Sequence, residues 1–412
     1  MAALAGTVGA FYASKLNALT MDLSDDYVTV TDPSSGVLDF TTSQNFTVET
    51  WYYVSDNSEG YLVTKGGDNT GYKLWVSDTN LCFTIDDGTD DATAKSTSNV
   101  EVERWMHLVG VRDATNNLVK TFVNGVIDGS DTDDTSETLA NASDFFIGDK
   151  DPTSNPVQKV GVVRVWNKAL SASQISDLHD GGFPVNSRND VVGEWLFNDG
   201  SGTGVYDSSG QGNDGTIADG TWVSTTYDTA TAEAVGTGTG ALKVFSTDFP
   251  NVDDDNLTVT VGGTAKVLGD DFKMTPKGTL TFTTAPTSDA AVVATYRHYP
   301  MTLEAGGFMN WSLDWTAEAL DTTDFLSSGT REFIGGLRTW TATAERHWVN
   351  RQTATMVPNK VIVKLFHDEP NDAYFNGWGI VTGLHPAVDV AGLVNESLDF
   401  QGTNFLGVED SR

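Results

Sequence analysis

The segment that decides the fold lies at residues 46–54 and has the sequence FTVETWYYV. Its period-two alternation predicts a β-strand. Strands of the same pattern are predicted at residues 120–124 and 257–261, and clusters of Gly, Asn, Asp and Ser separate such segments along the chain. Regular short strands joined by turn residues are typical of β-sandwiches and β-barrels. We therefore predict an all-β protein.

Helical periodicity is convincing in one segment, residues 171–179, with the sequence SASQISDLH. Ser171 stands at the predicted N-cap and Gln174 follows three positions later, which is the arrangement of a capping box. Two glycines at 181 and 182 favour an end to the helix. One short helix is expected beside the sheets.

Composition limits both the size of the units and the class of partner. The 412 residues suggest about three folding units. Only 24 Lys and Arg oppose 57 Asp and Glu, and the resulting net charge of -33 repels phosphate backbones and anionic lipid headgroups. We expect neither specific nucleic-acid binding nor membrane insertion, since no apolar run approaches the ~18 residues of a spanning helix.

Catalytic chemistry has only weak candidates. Glu101 and Glu103 have the i, i+2 spacing that can place two carboxylates on one strand face, as in glycosidases. They precede Arg104 and have no third acid in register, so a charged strand edge is the better interpretation. The six histidines are scattered without metal-ligand spacing. We predict that the protein is not an enzyme.

Carboxylate and amide oxygens cluster in a glycine-rich loop at residues 199–215. Such oxygens are the ligands that Ca²⁺ prefers. The same residue types also form turns through their own hydrogen bonds to the backbone, and this alternative stays open. The hypothetical calcium ligands, the only cofactor site suggested, are Asp199, Asp207, Asn213 and Asp214.

Four motifs within residues 20–225 resemble a laminin-G-like, concanavalin-type jelly roll. They occupy residues 46–54, 105–112, 122–126 and 160–171. A segment at 193–202 also matches that family, in which it usually opens the domain, so the domain is either permuted or closed by a strand at the opening strand's usual place. The resemblance implies glycan or protein binding, with calcium in some members, or passive decoration.

The two ends of the chain resemble a siphophage major tail protein, the subunit of a tail tube. Residues 1–14, MAALAGTVGAFYAS, look like the first strand of that family. Further motifs in the family's order lie towards the other end, at residues 307–315, 319–325, 331–337, 340–345, 377–383, 388–390 and 397–402.

This second resemblance implies a domain order: a first tail-tube strand, an inserted jelly roll, a small β module or linker, and the tail-tube core, at residues 1–16, 17–227, 228–300 and 301–412. It also implies homohexameric stacked rings in the virion tail, assembled in the host cytoplasm, whose subunits pair their edge strands. The tape-measure protein and genomic DNA would pass through the lumen without specific binding. The insertion would project outward, with a cell-surface glycan as a candidate partner.

Residues 323–337 form the candidate contact between subunits or rings, with Arg331, Glu332 and Arg338 as its contact residues; an ordinary surface loop is the alternative. For the whole chain the competing hypothesis is a lectin-like adhesion protein that binds glycans and is anchored by its C-terminal β domain.

Overall fold

The computed structural model describes two compact units. One, the central unit, is Lys15–Asp228, and the other, the terminal unit, combines Met1–Ser14 with Thr229–Arg412. The described residues are 4–6, 8–14, 17–21, 26–55, 59–67, 70–148, 157–181, 187–224, 228–249, 251–299, 302–308, 310–321, 333–347, 360–368, 373–388 and 394–409.

Strands make up nearly all regular structure in both units. The chain begins with two strands of the terminal unit, β1 (Leu4–Gly6) and β2 (Val8–Ser14). The central unit follows with β3 (Asn17–Thr20), β4 (Tyr27–Val30), β5 (Phe46–Val54), β6 (Gly60–Gly67), β7 (Thr70–Ser77), β8 (Asn80–Asp86), β9 (Asp91–Asn99), β10 (Arg104–Asp113), β11 (Leu118–Val123), β12 (Val126–Thr132), β13 (Phe145–Ile147), β14 (Val157–Trp166), the helix α1 (Ala172–His179), a 3₁₀ turn (Arg188–Asp190), β15 (Val191–Trp195), β16 (Gly204–Val205), β17 (Gly215–Ala218) and β18 (Thr221–Ser224).

The terminal unit resumes after the central unit. Its strands are β19 (Asp228–Thr237), β20 (Val244–Ser246), β21 (Val252–Val261), β22 (Thr264–Lys266), β23 (Phe272–Met274), β24 (Thr279–Phe282), β25 (Ala291–His298), β26 (Thr302–Phe308), β27 (Asn310–Asp321), β28 (Phe333–His347), β29 (Lys360–Asp368), β30 (Ala373–Val388) and β31 (Val394–Glu409).

Two eight-stranded sheets form the central unit. One has the order β12-β11-β10-β5-β14-β3-β18 with β15 also on β14, and we call it the helix-covered sheet. The other, the pocket-bearing sheet, has the order β16-β17-β4-β13-β6-β7-β8-β9. Phe46, Val48 and Tyr52 of the first sheet share one buried core with Phe83 and Ile85 of the second. The unit is thus a sandwich of two antiparallel sheets, and the prediction of an all-β fold is confirmed.

The predicted helix is confirmed, together with its capping box. Ser171 Oγ accepts a hydrogen bond from the Gln174 N–H at 3.3 Å, and the Gln174 side chain accepts one from the Ser171 N–H at 3.0 Å. Ile175 and Leu178 are buried against apolar side chains of the helix-covered sheet, which include Trp166. The helix therefore closes the outer face of that sheet.

A charged cluster is buried on the helix-covered sheet. Arg164 joins Glu49 and Glu194, with nitrogen–oxygen distances of 2.8 and 2.7 Å. His107 Nε2 lies 3.4 Å from Glu49 Oε1. Burial lowers the pKa of His107 despite the opposing effect of Glu49. Burial acts to raise the pKa of Glu49, but the charge of Arg164 and the contact with His107 outweigh it and lower that pKa.

Both ends of the chain build one antiparallel sheet in the terminal unit. Its strand order is β1-β27-β28-β31-β30-β29-β2-β26. The N-terminal segment pairs with β27 through β1 (Leu4 opposite Leu313) and with β29 through β2 (Phe11 opposite Val363). Because β1 and β2 follow each other directly in the chain, this segment links strands from opposite ends of the sheet order. Strands β1 and β2 are thereby paired with strands β26, β27 and β29 of the C-terminal part of the chain.

Glycines in this sheet make room for one tryptophan. The ring of Trp340, on β28, is buried. A Cβ at Gly377, Gly379 or Gly402 would come within 2.9, 3.1 and 2.3 Å of that ring. At these three positions, which belong to the motifs at 377–383 and 397–402, the absence of a side chain leaves room for the Trp340 ring.

The rest of the terminal unit is a small β module with the sheet orders β19-β25-β21-β22 and β20-β24-β23. Residues 228–237, at the start of the range predicted to be a small β module or linker, form β19 beside β25. The module is joined to the larger sheet by a hydrogen bond of 2.9 Å from Trp378 Nε1 to the Val252 carbonyl.

Candidate functional site

A cavity of about 510 Å³ lies on the pocket-bearing sheet. Strands β6, β7 and β8 supply its floor, and the segment that leads into and out of β13 supplies a wall. The lining residues are Tyr61, Thr64, Gly66, Gly67, Gly71, Tyr72, Lys73, Thr84, Asp86, Ala142, Ser143, Asp144, Phe146 and Gly148.

The alternation of β7 determines which of its side chains reach this face. Leu74 and Val76 point into the buried core. Successive residues of a strand point to opposite faces, so Lys73 and Trp75 share the other face. The indole of Trp75 is fixed by a hydrogen bond of 3.0 Å from Nε1 to Thr84 Oγ1 on β8.

Two aromatic rings and a lysine form a platform at the pocket. The ring centroids of Tyr61 and Trp75 are 6.0 Å apart. Lys73 Nζ lies 5.4 Å from the first centroid and 5.1 Å from the second, within the range of a cation–π interaction. No carboxylate in the described part of the chain forms an ion pair with Lys73.

Two carboxylates line the pocket, and each is held through one oxygen. Asp144 Oδ1 accepts a hydrogen bond of 2.9 Å from the Asp32 N–H. Asp86 Oδ1 accepts one of 2.8 Å from the Gly88 N–H. Within the described ranges the second oxygen of each has no hydrogen-bond partner, so both can accept from a ligand.

The loop beside Asp86 is fixed by its neighbour Asp87. The carboxylate of Asp87 accepts hydrogen bonds from four backbone N–H groups, those of Thr89, Asp90, Ser136 and Glu137. Burial acts to raise the pKa of Asp87, but these four donors outweigh it and lower the pKa to about 2. The β8–β9 turn is therefore tied to the segment at 136–137.

A buried lysine holds the pocket wall. Lys65, on β6, is fully buried, and its Nζ lies 3.0 Å from a carboxylate oxygen of both Asp32 and Asp39. It also donates a hydrogen bond of 2.9 Å to the Asn141 carbonyl. Asn141 Oδ1 accepts from the Ser143 N–H at 3.0 Å, next to the lining residue Asp144. One ammonium group thus connects three segments of the wall.

The predicted calcium loop is organised by backbone hydrogen bonds. Asp207 Oδ1 accepts from the N–H groups of Glu194 and Ser209, and its Oδ2 accepts from that of Asn213, each at 2.9 Å. Asp214 Oδ1 accepts from the Asp207 N–H at 2.9 Å. These bonds bring Asp207, Asn213 and Asp214 together and account for the carboxylate of Asp207 without an ion. Asp199 lies at the exposed start of the loop, and calcium binding there stays a prediction.

The other sequence candidates do not form a site among the described residues. Arg331 and Glu332 lie outside those residues, and for Arg338 only the backbone in β28 is described, opposite Ala317. Glu101 pairs with Arg104 in the turn before β10, and Glu103 there has a φ of 58°. The two glutamates therefore do not share a strand face, as the glycosidase alternative would require, and they lie directly before the first residue of β10.

A carboxylate cluster that the sequence analysis did not predict lies on β21. In the described part of the chain, oxygens of Asp253, Asp254 and Asp255 lie within 4.8 Å of one another. Lys360 Nζ lies 3.2 Å from Asp253 Oδ1 and 2.9 Å from Asp255 Oδ2, and it also contacts Asp254. The cluster therefore already has a cation, and it joins β21 to β29.

The pocket was not predicted from the sequence either. Lys73 and Trp75 carried a signal, since a lysine and an aromatic residue alternate with Leu74 on a strand. Asp144 carried none, because its place in the wall depends on the contact of Asn141 with Lys65, which is distant in sequence.

None of the helices in the described residues has the length and hydropathy needed to cross a membrane.

Residues 22–176 match a family model described as the Concanavalin A-like lectin/glucanases superfamily. The central unit therefore contains a concanavalin-like jelly-roll domain, and the prediction of that domain is confirmed. Strands β6, β7 and β8, which carry the pocket, lie within the matched residues. A comparison with curated proteins gives no match. The resemblance to a tail protein stays a prediction.

Three solved structures illustrate the likeness. One is a protein from Bacteroides ovatus ATCC 8483 to which carbohydrate binding has been ascribed, at 18% identity, TM-score 0.41, and coverage of 52% of this chain and 60% of that one. A heptameric SAP-like pentraxin from Limulus polyphemus has 13% identity and a TM-score of 0.36, and the match covers 50% of this chain and 97% of the pentraxin. The CBM40 of the Ruminococcus gnavus IT-sialidase, bound to alpha2,3 sialyllactose, has 15% identity and a TM-score of 0.30. That match covers 43% of this chain and 95% of the CBM40. With TM-scores this low, the ligands of those proteins say nothing about this chain.

The substitution Lys65→Met tests the wall of the pocket. Because it leaves Asp32 and Asp39 without their cation, and because those carboxylates are still partly exposed, it should lower the free energy of unfolding of the central unit by about 2–4 kcal/mol. Lys95→Met, which removes an exposed ion pair with Asp78, should cost less than about 1 kcal/mol. Urea unfolding followed by tryptophan fluorescence measures both, and equal losses would contradict the role given to Lys65.

Proposed function

We propose that the central unit binds saccharides in the cavity of the pocket-bearing sheet. The observation that carries the proposal is that Tyr61 and Lys73 of the platform, with Trp75 beside them, line one cavity together with two carboxylates whose second oxygens have no partner in the described residues. A sugar ring has a C–H face that packs on an aromatic ring and hydroxyls that need fixed acceptors and donors. Asp86 and Asp144 would accept from hydroxyls, while Lys73 would donate to a sugar oxygen.

Size and fixation support the same proposal. A cavity of about 510 Å³ is within the range of small-ligand sites. The Trp75 indole is held by Thr84, and the wall is held by Lys65, so few side chains must become ordered when a ligand binds. A preorganised site loses less conformational entropy on binding. We propose binding without hydrolysis of the bound saccharide.

A glycan array probed with the full chain tests this function. The wild-type protein should bind a defined set of glycans, and Tyr61→Ala or Trp75→Ala should lower the affinity by roughly tenfold through loss of ring contact. The matched control is Tyr206→Ala, which removes an exposed aromatic residue of the same unit outside the pocket. Repeating the array with calcium and with EDTA tests the loop at 199–215 as well.

Thermal unfolding of each variant shows whether the central unit remains folded. Absence of any glycan bound by the wild-type chain would contradict the proposed function. An equal loss of glycan affinity in Tyr206→Ala and in the two platform variants would also contradict it.

As a second function, we propose that the terminal unit is a tail-tube subunit that displays the central unit. The observation in favour is the sheet shared by both chain ends, an arrangement that the family resemblance requires. Within the described residues, β26 pairs on one side with β2 and no strand forms ladder hydrogen bonds with its other side. An unpaired strand edge can pair with a second copy, as closed rings of subunits do.

The remaining partners follow from this second proposal. The tape-measure protein and the genome would pass through the lumen of homohexameric rings in the virion. The net charge of -33 favours sliding of DNA over adhesion, because like charges repel. The candidate contact residues Arg331, Glu332 and Arg338 belong to this proposal.

Electron microscopy of the purified full chain tests assembly. At high protein concentration we expect rings or hollow tubes, because edge pairing saturates as the concentration rises. Light scattering after size-exclusion chromatography gives the mass of the smallest ring. A species that stays monomeric at every concentration would contradict the tail-tube proposal. The same result would not bear on saccharide binding by the central unit.

A further inference from the structure

We propose that the pocket selects neutral saccharides and disfavours anionic ones, with Asp86 and Asp144 as the residues that determine this specificity. The inference rests on the proposed saccharide binding and adds the chemical class of the ligand. It depends on the balance of charged groups at the pocket and on which of their atoms remain available.

The two carboxylates at the pocket have acceptor atoms available. Asp144 and Asp86 each use Oδ1 for a backbone N–H, which orients the carboxylate and leaves Oδ2 without a partner in the described part of the molecule. A neutral saccharide offers hydroxyl donors to such oxygens. A carboxylate or sulfate group offers only acceptors at neutral pH, and it would be repelled by both aspartates.

Lys73 does not reverse this balance. It is the only ammonium group among the lining residues, against two carboxylates. The neighbouring Lys65 is neutralised by Asp32 and Asp39 behind the wall. Lys73 Nζ lies over the rings of both Tyr61 and Trp75, so a sugar that packs on one of these rings would meet the ammonium group at the same face. Its role is that of one donor among acceptors.

The charge of the whole chain acts in the same direction at longer range. A net charge of -33 repels anions before contact, and this effect is screened beyond about 10 Å at 0.1 M salt. The contact with Asp86 and Asp144 is screened much less. Selectivity for neutral ligands should therefore persist at high salt if the two aspartates cause it.

The experiment compares matched ligands on the full chain by isothermal titration calorimetry. The neutral probes are oligosaccharides of glucose, galactose, mannose and N-acetylglucosamine, and each is paired with a counterpart that carries a sialic acid, a uronic acid or a sulfate. The variants are Asp86→Asn and Asp144→Asn. In each, the amide oxygen can keep the backbone hydrogen bond, while an NH₂ group replaces the oxygen that faces the ligand. The matched control is Asp134→Asn, an exposed residue of the same unit outside the pocket.

We expect the wild-type chain to prefer the neutral member of each pair at both 0.1 M and 1 M salt. Each pocket variant should lose roughly 10- to 100-fold in affinity for the neutral ligand, the effect of removing a hydrogen bond to a charged group. The pocket variants should also lower the ratio of the affinity for the neutral ligand to the affinity for its anionic counterpart. Asp134→Asn should leave both affinities unchanged.

Three results would overturn the inference: preference of the wild-type chain for the anionic member, loss of the neutral preference in 1 M salt, or an unchanged ratio in both pocket variants. Binding of no saccharide at all is a different result, because it removes the proposed function itself. Calorimetric titration therefore separates the failure of the specificity from the failure of the function.

Discussion

The ammonium group of Lys65 is the constraint on which the candidate site depends. It is fully buried, yet its charge is balanced by two carboxylates from the connection between β4 and β5 and by the Asn141 carbonyl before β13. A buried charge is tolerated only when it is paired and hydrogen-bonded, so these segments must meet at one point. Asn141 and Asp144 take their places as a consequence. The shape of the pocket is thus a product of the electrostatics of folding.

The two sheets of the central unit have different surroundings, which explains where a site can form. The helix-covered sheet is closed by Ile175 and Leu178 of α1 and by the buried cluster around Arg164. The pocket-bearing sheet presents Lys73 and Trp75 on its outer face. In the described part of the chain, the helix and the buried charged cluster leave no open face on the first sheet, whereas a concave open face with a few fixed polar groups is suited to a ligand. The sandwich therefore carries its pocket on the open sheet.

Periodicity and capping predicted much of the fold. The alternation at residues 46–54 and the capping box at Ser171 depend on local geometry, so both were accessible from the sequence and are confirmed. The pocket was not accessible, because Asp144 and Lys65 meet only after distant strands pair. β19 was missed because an edge strand of threonine and alanine resembles a linker in composition. Local signals predict elements, while the site needs long-range pairing that one sequence does not reveal.

Saccharide binding on the pocket-bearing sheet is best measured by hydrogen–deuterium exchange of the full chain, with and without a saturating saccharide from the array. We expect the ligand to slow exchange in β6, β7 and β8 and at residues 139–148, where the platform and the wall lie. Exchange in α1 and in the terminal unit should stay unchanged. Protection confined to the helix-covered sheet, to the loop at 199–215 or to residues 229–412 would show that the saccharide does not bind in this pocket.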